Sequence, residues 1–207
     1  EVREDLDRRS QENLLELLDK EQKIVEQKQK RLKRTKEWIM KKREVLREAA
    51  AVEIRQIELI EMPASYAVTA RVNSNDEKVW AMEAGKLLNI CESFGIKGGY
   101  GIGYKQSLHN VIEEIYDNYE SAYVVTDKKI PGASCEERPA GTYLAAYHKG
   151  HWEELPSTYG RMLEYAREKG LELCGDCYED YLLDGLTQKS EDEYVTRVSC
   201  RTVSHKN

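Results

Sequence analysis

Apolar residues recur every seven positions over residues 11–48, separated by charged and polar side chains. One row of this repeat consists of Leu18, Val25, Leu32, Ile39 and Leu46. The pattern predicts one long helix, and Ser10 is a suitable N-cap in front of it. Because its apolar stripe is narrow and the neighbouring row is irregular, such a helix is not stable alone in water. It must lie against a partner helix or against a domain.

Beyond Ala51 the heptad spacing stops, and short alternating segments typical of strands take turns with two helical segments. The break at Met62-Pro63 separates the first two strands. The predicted strands cover residues 53–60, 65–72, 99–104, 121–126, 142–148, 171–183 and 193–203. The predicted helices cover residues 76–94, ended by Gly95, and 153–169, ended by Gly170. This pattern indicates an α+β fold.

The second half of the strand-rich region repeats the first. The motif at Pro63-Ala64-Ser65-Tyr66 returns 76 residues later as Pro139-Ala140-Gly141-Thr142-Tyr143. Gly85-Lys86-Leu87-Leu88 returns 75 residues later as Gly160-Arg161-Met162-Leu163. Equal spacing around two helices indicates a duplicated β-α-β-β unit. Two such units leave a concave seam between them, where a ligand pocket can form.

Charge is distributed unevenly, which supports two domains, residues 1–50 and 51–207. Residues 1–50 hold 15 of the 32 Lys and Arg but only 12 of the 38 Asp and Glu, so the remainder is acidic. An acidic domain argues against a phosphate-binding surface there. The sequence lacks an apolar run long enough for a membrane span and lacks a signal-peptide pattern. We therefore expect a cytoplasmic protein without membrane contact.

Five cysteines without a scaffold spacing predict a reduced protein. Cys174 and Cys177 have the C-x-x-C spacing, but a zinc site needs two further ligands, and no second pair follows at a suitable distance. The glycines of residues 98–103 lack the ending of a phosphate loop, and close packing is the better explanation for them. We therefore expect neither a metal nor a cofactor.

Tyrosine is strongly favoured over phenylalanine, with 13 Tyr against 1 Phe. Side chains alternate along a strand, so Tyr143 and Tyr147 share one face of their strand, and Glu179 and Tyr181 share one face of theirs. A carboxylate beside aromatic rings suits an organic cation, because the rings add cation–π attraction. The alternative is that Glu179 is simply exposed to solvent on a half-buried strand.

Residues 137–203 contain Pro-Ala-Gly-Thr-Tyr, then Tyr147-His148-Lys149-Gly150-His151-Trp152-Glu153-Glu154-Leu155, and later Tyr178-Glu179-Asp180-Tyr181-Leu182. This pattern resembles the GyrI-like effector-binding domain. Residues 3–9 are similar to the last short helix of a MerR-family DNA-binding head, and residues 14–46 to the long dimerisation helix that follows it. The whole chain thus resembles the MerR-family multidrug-sensing regulators (BmrR-like).

The resemblance implies that Glu179 lies at the bottom of an aromatic pocket for lipophilic cations. It places Tyr147 and Tyr194 at the pocket, with further lining from Tyr143, Tyr181, Tyr104 and Trp152. Asp180 departs from the family, whose drug-sensing members have an apolar residue there.

The resemblance also implies a small-molecule effector and a homodimer, formed by an antiparallel coiled coil of residues 11–48. Promoter DNA would be bound only through a head that precedes Glu1 and is missing from this chain. No catalysis is expected. The alternative is a stand-alone GyrI-like binder or hydrolase, in which Glu179 works with Tyr143 or Tyr147 in acid–base chemistry.

Overall fold

A computed structural model describes residues 10–72, 76–94, 101–126, 128–185 and 187–203. The chain divides into two compact units, Glu1–Met40 and Lys41–Asn207. Three sequence expectations fall on residues outside the described ranges: the short helix at residues 3–9, the cap at Gly95, and the start of the strand at residues 99–100.

Helix α1 spans Gln11–Ala51, which confirms the predicted long helix. Its start is fixed by Ser10, whose hydroxyl oxygen accepts the backbone N–H of Asn13 at 3.1 Å. The five apolar residues of the heptad row remain 39–69% exposed within this single chain. On the last turns, Val45 and Ala49 are buried against Tyr147, Leu182 and Val195.

The described residues form one eight-stranded antiparallel sheet in the order β1-β6-β8-β7-β3-β4-β2-β5. The strands are β1 (Ile57–Met62), β2 (Ser65–Arg71), β3 (Gly103–Ser107), β4 (Ser121–Thr126), β5 (Cys135–Arg138), β6 (Gly141–Lys149), β7 (Leu173–Leu183) and β8 (Val195–Thr202). The helices of this unit are α2 (Glu77–Ser93), the short α3 (Leu108–Ile112) and α4 (Leu155–Lys169). Gly170 ends α4 in the left-handed conformation, with φ of 63°.

The strand order confirms the duplication. Strands β2, β3 and β4 of the first copy correspond to β6, β7 and β8 of the second, and exchanging the copies reproduces the same order read backwards. The two copies meet where β3 pairs with β7. The strand that precedes each copy pairs with the other copy: β1 pairs with β6, and β5 pairs with β2. The seam predicted between the copies is therefore the centre of one continuous sheet.

Both long helices of this unit pack on the same face of the sheet, called here the helix face. Helix α2 covers the first copy through a core cluster that includes Trp80, Leu87 and Val124. Helix α4 covers the second copy through Tyr159 and Met162, which pack with residues of β6, β7 and β8. The end of α1 and its buried Val45 pack instead with Tyr147 on the opposite face.

Cysteine pairing corrects the prediction of a fully reduced chain. Cys177 on β7 lies opposite Cys200 on β8 in the register, and the structure joins their sulfurs in a disulfide. The C-x-x-C partner Cys174 remains a free thiol. None of the described helices has an apolar segment long enough to cross a bilayer.

Candidate functional site

A single line of side chains crosses the helix face from one copy to the other. Residues paired directly across antiparallel strands point to the same side of a sheet. The strand registers therefore align, in order, Ala70, Ala122, Tyr104, Glu179, Val198, Ala146 and Ile57. Glu179 is the one charged member of this apolar row. It lies on β7 at the central strand pair, opposite Tyr104 of the other copy.

Glu179 is fully buried, and its hydrogen-bond partners among the described residues are all neutral donors. The hydroxyl of Tyr159 donates to Oε1 at 2.8 Å, and the hydroxyl of Tyr119 donates to Oε2 at 2.9 Å. The amide of Gln106 donates to Oε1 at 3.0 Å. Burial raises the pKa of Glu179 to about 7, although these three hydrogen bonds oppose the change. The carboxyl group can therefore lose its proton near neutral pH.

Five rings in edge-to-face or tilted contact form a connected group that reaches this carboxylate through the hydroxyl of Tyr119, and we call this group the aromatic cluster. Its members are Trp80, Tyr104, Tyr119, Trp152 and Tyr181. Neighbouring ring centroids are 5.1 to 6.3 Å apart, which is the usual spacing of interacting aromatic pairs. Trp152 is half-buried and packs against the cores of both copies, so it lies at the seam.

The close approach of β3 to β7 depends on Gly103. A Cβ atom at this position would lie 2.7 Å from the backbone oxygen of Glu179 and would collide with the ring of Tyr123. Packing therefore explains this glycine, as the sequence indicated, and it brings Tyr104 beside Glu179.

The opposite face of the same strand carries a second buried carboxylate, Asp180. Arg138 donates to both of its oxygens at 3.1 and 3.0 Å, and Arg197 donates to Oδ2 at 3.0 Å. Tyr123 donates to Oδ1 at 2.7 Å. Burial alone raises the pKa of Asp180, but the two arginines outweigh it and lower the pKa to about 2. Two adjacent carboxylates thus have opposite electrostatic environments.

The structure brings only part of the sequence-derived set together with Glu179. Tyr104, Tyr181 and Trp152 belong to the aromatic cluster. Tyr143 and Tyr147 do not: they pair in register with Arg201 and Arg197 and so point to the face of Asp180. This geometry removes the acid–base pairing of Glu179 with Tyr143 or Tyr147.

The hydroxyls of the displaced tyrosines are used elsewhere. Tyr143 donates to the backbone oxygen of Pro139 at 2.8 Å, and Tyr147 donates to Glu58 at 3.3 Å. Tyr194 precedes β8, and its hydroxyl lies against Gly185 in the connection from β7. His148, whose ring contacts Thr158 and the backbone of His151, is buried and structural.

Four residues around the carboxylate were missing from the sequence-derived set: Trp80, Gln106, Tyr119 and Tyr159. Two of them could have been found from helical periodicity. Tyr159 lies on the buried stripe of α4 with Leu155, Met162 and Ala166. Trp80 lies on the corresponding stripe of α2 with Ala84, Leu87 and Cys91. Gln106 and Tyr119 have no comparable signal. Gln106 approaches Glu179 through the pairing of β3 with β7, and Tyr119 precedes β4, which pairs with β3.

A family model for the GyrI-like small molecule binding domain matches residues 55–201. The chain belongs to the GyrI-like family. The family match covers every residue of the aromatic cluster and Glu179 itself. The matched range lies within the unit Lys41–Asn207, which contains the sheet, and it identifies this unit as a small-molecule binding domain.

Known proteins similar to the chain include regulators. A Multidrug-efflux transporter 2 regulator of Bacillus subtilis (strain 168) is 24% identical over 108 residues, covering 52% of this chain and 39% of that protein. The chain thus spans less than half of that regulator.

Solved structures show the same fold. The crystal structure of the EcmrR C-terminal domain has a TM-score of 0.56 at 14% identity, covering 73% of this chain and 99% of that one. The cryo-EM structure of an EcmrR–DNA complex has a TM-score of 0.55 at 14% identity, covering 95% and 73%. The second match extends over the long helix as well as the GyrI-like domain.

Proposed function

We propose that this chain is the ligand-sensing and dimerisation part of a bacterial MerR-family transcription regulator. Its GyrI-like domain binds lipophilic organic cations at Glu179, within the aromatic cluster, and does so without catalysis. Promoter DNA is contacted by a DNA-binding head that lies outside the residues of this chain. The regulator works in the cytoplasm. The similarity to a multidrug-efflux transporter regulator and to EcmrR in complex with DNA supports this context.

The contrast between Glu179 and Asp180 is the observation that supports a cationic ligand. Asp180 is compensated by two guanidinium groups of the protein itself. The recorded partners of Glu179 are two hydroxyls and an amide, none of them a cation. A buried carboxylate is costly without countercharge. An organic cation supplies that charge, and the faces of the surrounding rings stabilise it further.

Imipramine, a tricyclic amine that is protonated at pH 8, tests the role of Glu179. We expect Glu179→Gln to weaken its binding about 30-fold or more, because truncating a buried charge pair costs about 2–5 kcal/mol. Isothermal titration calorimetry on the full chain at pH 8 measures the affinity. Quenching of tryptophan fluorescence gives a second readout, since Trp80 and Trp152 contact each other within the aromatic cluster, where the ligand is proposed to bind.

Two controls separate recognition of the positive charge from nonspecific hydrophobic binding. Iminodibenzyl, the uncharged tricyclic core, should bind wild type and Glu179→Gln equally. Glu164→Gln removes a carboxylate that is 63% exposed on α4 and should leave imipramine binding unchanged. Equal imipramine affinity in wild type and Glu179→Gln would refute the proposed site.

Dimerisation through α1 makes a separate prediction. Leu18 and Leu32 are 55% and 69% exposed in the single chain, and a partner helix would bury them. The double substitution Leu18→Glu with Leu32→Glu should halve the mass measured by light scattering after size exclusion. Gln29→Glu, an exposed polar position on the same helix, is the control and should stay dimeric. A dimer that survives the double substitution would place the interface elsewhere.

A further inference from the structure

Gln106 is the least explained polar group beside Glu179. Its side chain is fully buried on β3, pointing to the helix face. Its Nε2 donates to Glu179 Oε1 at 3.0 Å and reaches the hydroxyl of Tyr159 at 3.2 Å. Within the described part of the chain, no donor reaches its Oε1. The amide is therefore half satisfied, with a free acceptor in the interior.

The orientation of this amide is fixed by its neighbour. A carboxylate accepts hydrogen bonds, so turning the amide over would set its carbonyl oxygen against Glu179. When Glu179 is ionised, as it is at pH 8, Nε2 must face the carboxylate, and Oε1, on the same planar group, remains close beside it. Buried polar atoms in native proteins are overwhelmingly paired, and an unpaired acceptor costs folding free energy. A ligand that brings a donor to this position would satisfy the open acceptor next to the carboxylate.

We infer that Gln106 selects, among organic cations, those that carry an N–H on the charged nitrogen. The ligand class is then a protonated amine or amidine, whose positive charge pairs with Glu179 and whose N–H donates to Gln106 Oε1. A permanently charged quaternary ammonium satisfies the carboxylate but leaves the amide oxygen unpaired. The inference rests on the proposed function and adds a specificity-determining residue to it.

Two isomeric cations isolate the N–H. The first is the analogue of imipramine with a tertiary N-ethyl-N-methyl amine, protonated at pH 8. The second is the quaternary N-methyl derivative of imipramine. They have the same formula, charge and ring system, but only the first has an N–H. Hydrogen bonds that involve a charged group are strong enough for us to expect about tenfold tighter binding of the tertiary isomer by wild-type protein, measured by calorimetry.

Gln106→Met keeps the volume of the side chain and removes its acceptor. Because Glu179 also loses a donor, the substitution affects the affinity of both isomers, and the ratio of the two affinities is therefore the readout. We expect that ratio to fall close to one. A wild-type ratio near one overturns the inference without any variant, as does an unchanged ratio in Gln106→Met.

The outcomes also distinguish this inference from the proposed function. If both isomers bind equally and both depend on Glu179, the proposed function stands and the role of Gln106 is wrong. If neither isomer binds wild-type protein, both proposals fail.

Discussion

Asp180→Asn is expected to destabilise the domain by about 3–5 kcal/mol, the cost typical of breaking a buried ion pair by removing one partner. Asp180 is 1% exposed and lies between Arg138 and Arg197. Asparagine preserves the shape and an acceptor oxygen, but it removes the carboxylate that Arg138 and Arg197 share, and of the two only Arg197 keeps an ion pair in the described part of the chain, with Glu48. Urea unfolding of the full chain, followed by circular dichroism, measures the change.

Asp176→Asn is the matched control on the same strand. Asp176 is 33% exposed and approaches Lys105 at 3.3 Å, but Lys105 also has Glu136 at 2.7 Å and Glu120 at 3.5 Å. Its loss should cost no more than about 1 kcal/mol, as for other exposed ion pairs. A similar small cost for Asp180→Asn would contradict the proposed importance of the buried network.

A second substitution separates the effect of the lost ion pair from the other effects of Asp180→Asn. Adding Arg138→Met to Asp180→Asn removes the guanidinium group whose ion pair with Asp180 was lost. Part of the lost stability should return, because an apolar side chain of similar length can replace a buried charge at little cost. If the Asp180→Asn variant is too unstable to isolate, the double variant still reports this recovery.

Local patterns predicted most of the fold, since they reflect interactions between near neighbours in the chain. The long helix, most of the strands and the capping glycine at Gly170 were predicted correctly. Strand β5 was not predicted, and the strand expected at residues 99–104 is β3 at Gly103–Ser107. The repeat around Gly85 and Gly160 also predicted the duplicated unit. The exchange of edge strands was not predictable in this way. Strand β1 precedes the first copy but pairs with β6 of the second, and no local signal specifies that choice.

The site was predictable only within single strands. Counting residues along β7 correctly placed Tyr181 on the face of Glu179 and Asp180 on the other. Relating different strands requires their register, and β6 is separated from β7 by β8. For this reason Tyr143 and Tyr147, although on one face of β6, could not be placed relative to Glu179 from the sequence. The disulfide of Cys177 and Cys200 depends on the same unknown register.

Adjacent residues on β7 therefore carry out different tasks because strand geometry sends them to opposite faces. Asp180 is neutralised by arginines of the chain and stabilises the fold. Among the described residues Glu179 has only neutral donors, so the fold tolerates it at a cost that depends on its protonation. That cost is the basis on which we propose a cationic ligand, and it also predicts that the stability of the domain depends on pH.

Between about pH 4.5 and pH 7 the domain should lose about 3 kcal/mol of stability from Glu179 alone. The folded-state pKa of this group is about 7, against an ordinary glutamate pKa of 4.5. In this window the folded protein keeps a proton that the unfolded chain has released, so unfolding becomes easier as the pH rises. The contribution of Asp180 has the opposite sign and a different window, since its lowered pKa of about 2 affects stability only as the pH falls below about 4.

Glu179→Gln, which stays neutral at every pH, should remove this dependence. Relative to wild type, the variant should gain about 3 kcal/mol between pH 4.5 and pH 8, as measured by urea unfolding at a series of pH values. The same substitution that weakens imipramine binding should therefore stabilise the ligand-free domain at pH 8. Glu164→Gln, on the exposed side of α4, should give a curve parallel to wild type. A parallel curve for Glu179→Gln would mean that Glu179 is not destabilised by burial, and the electrostatic basis for a cation site would be lost.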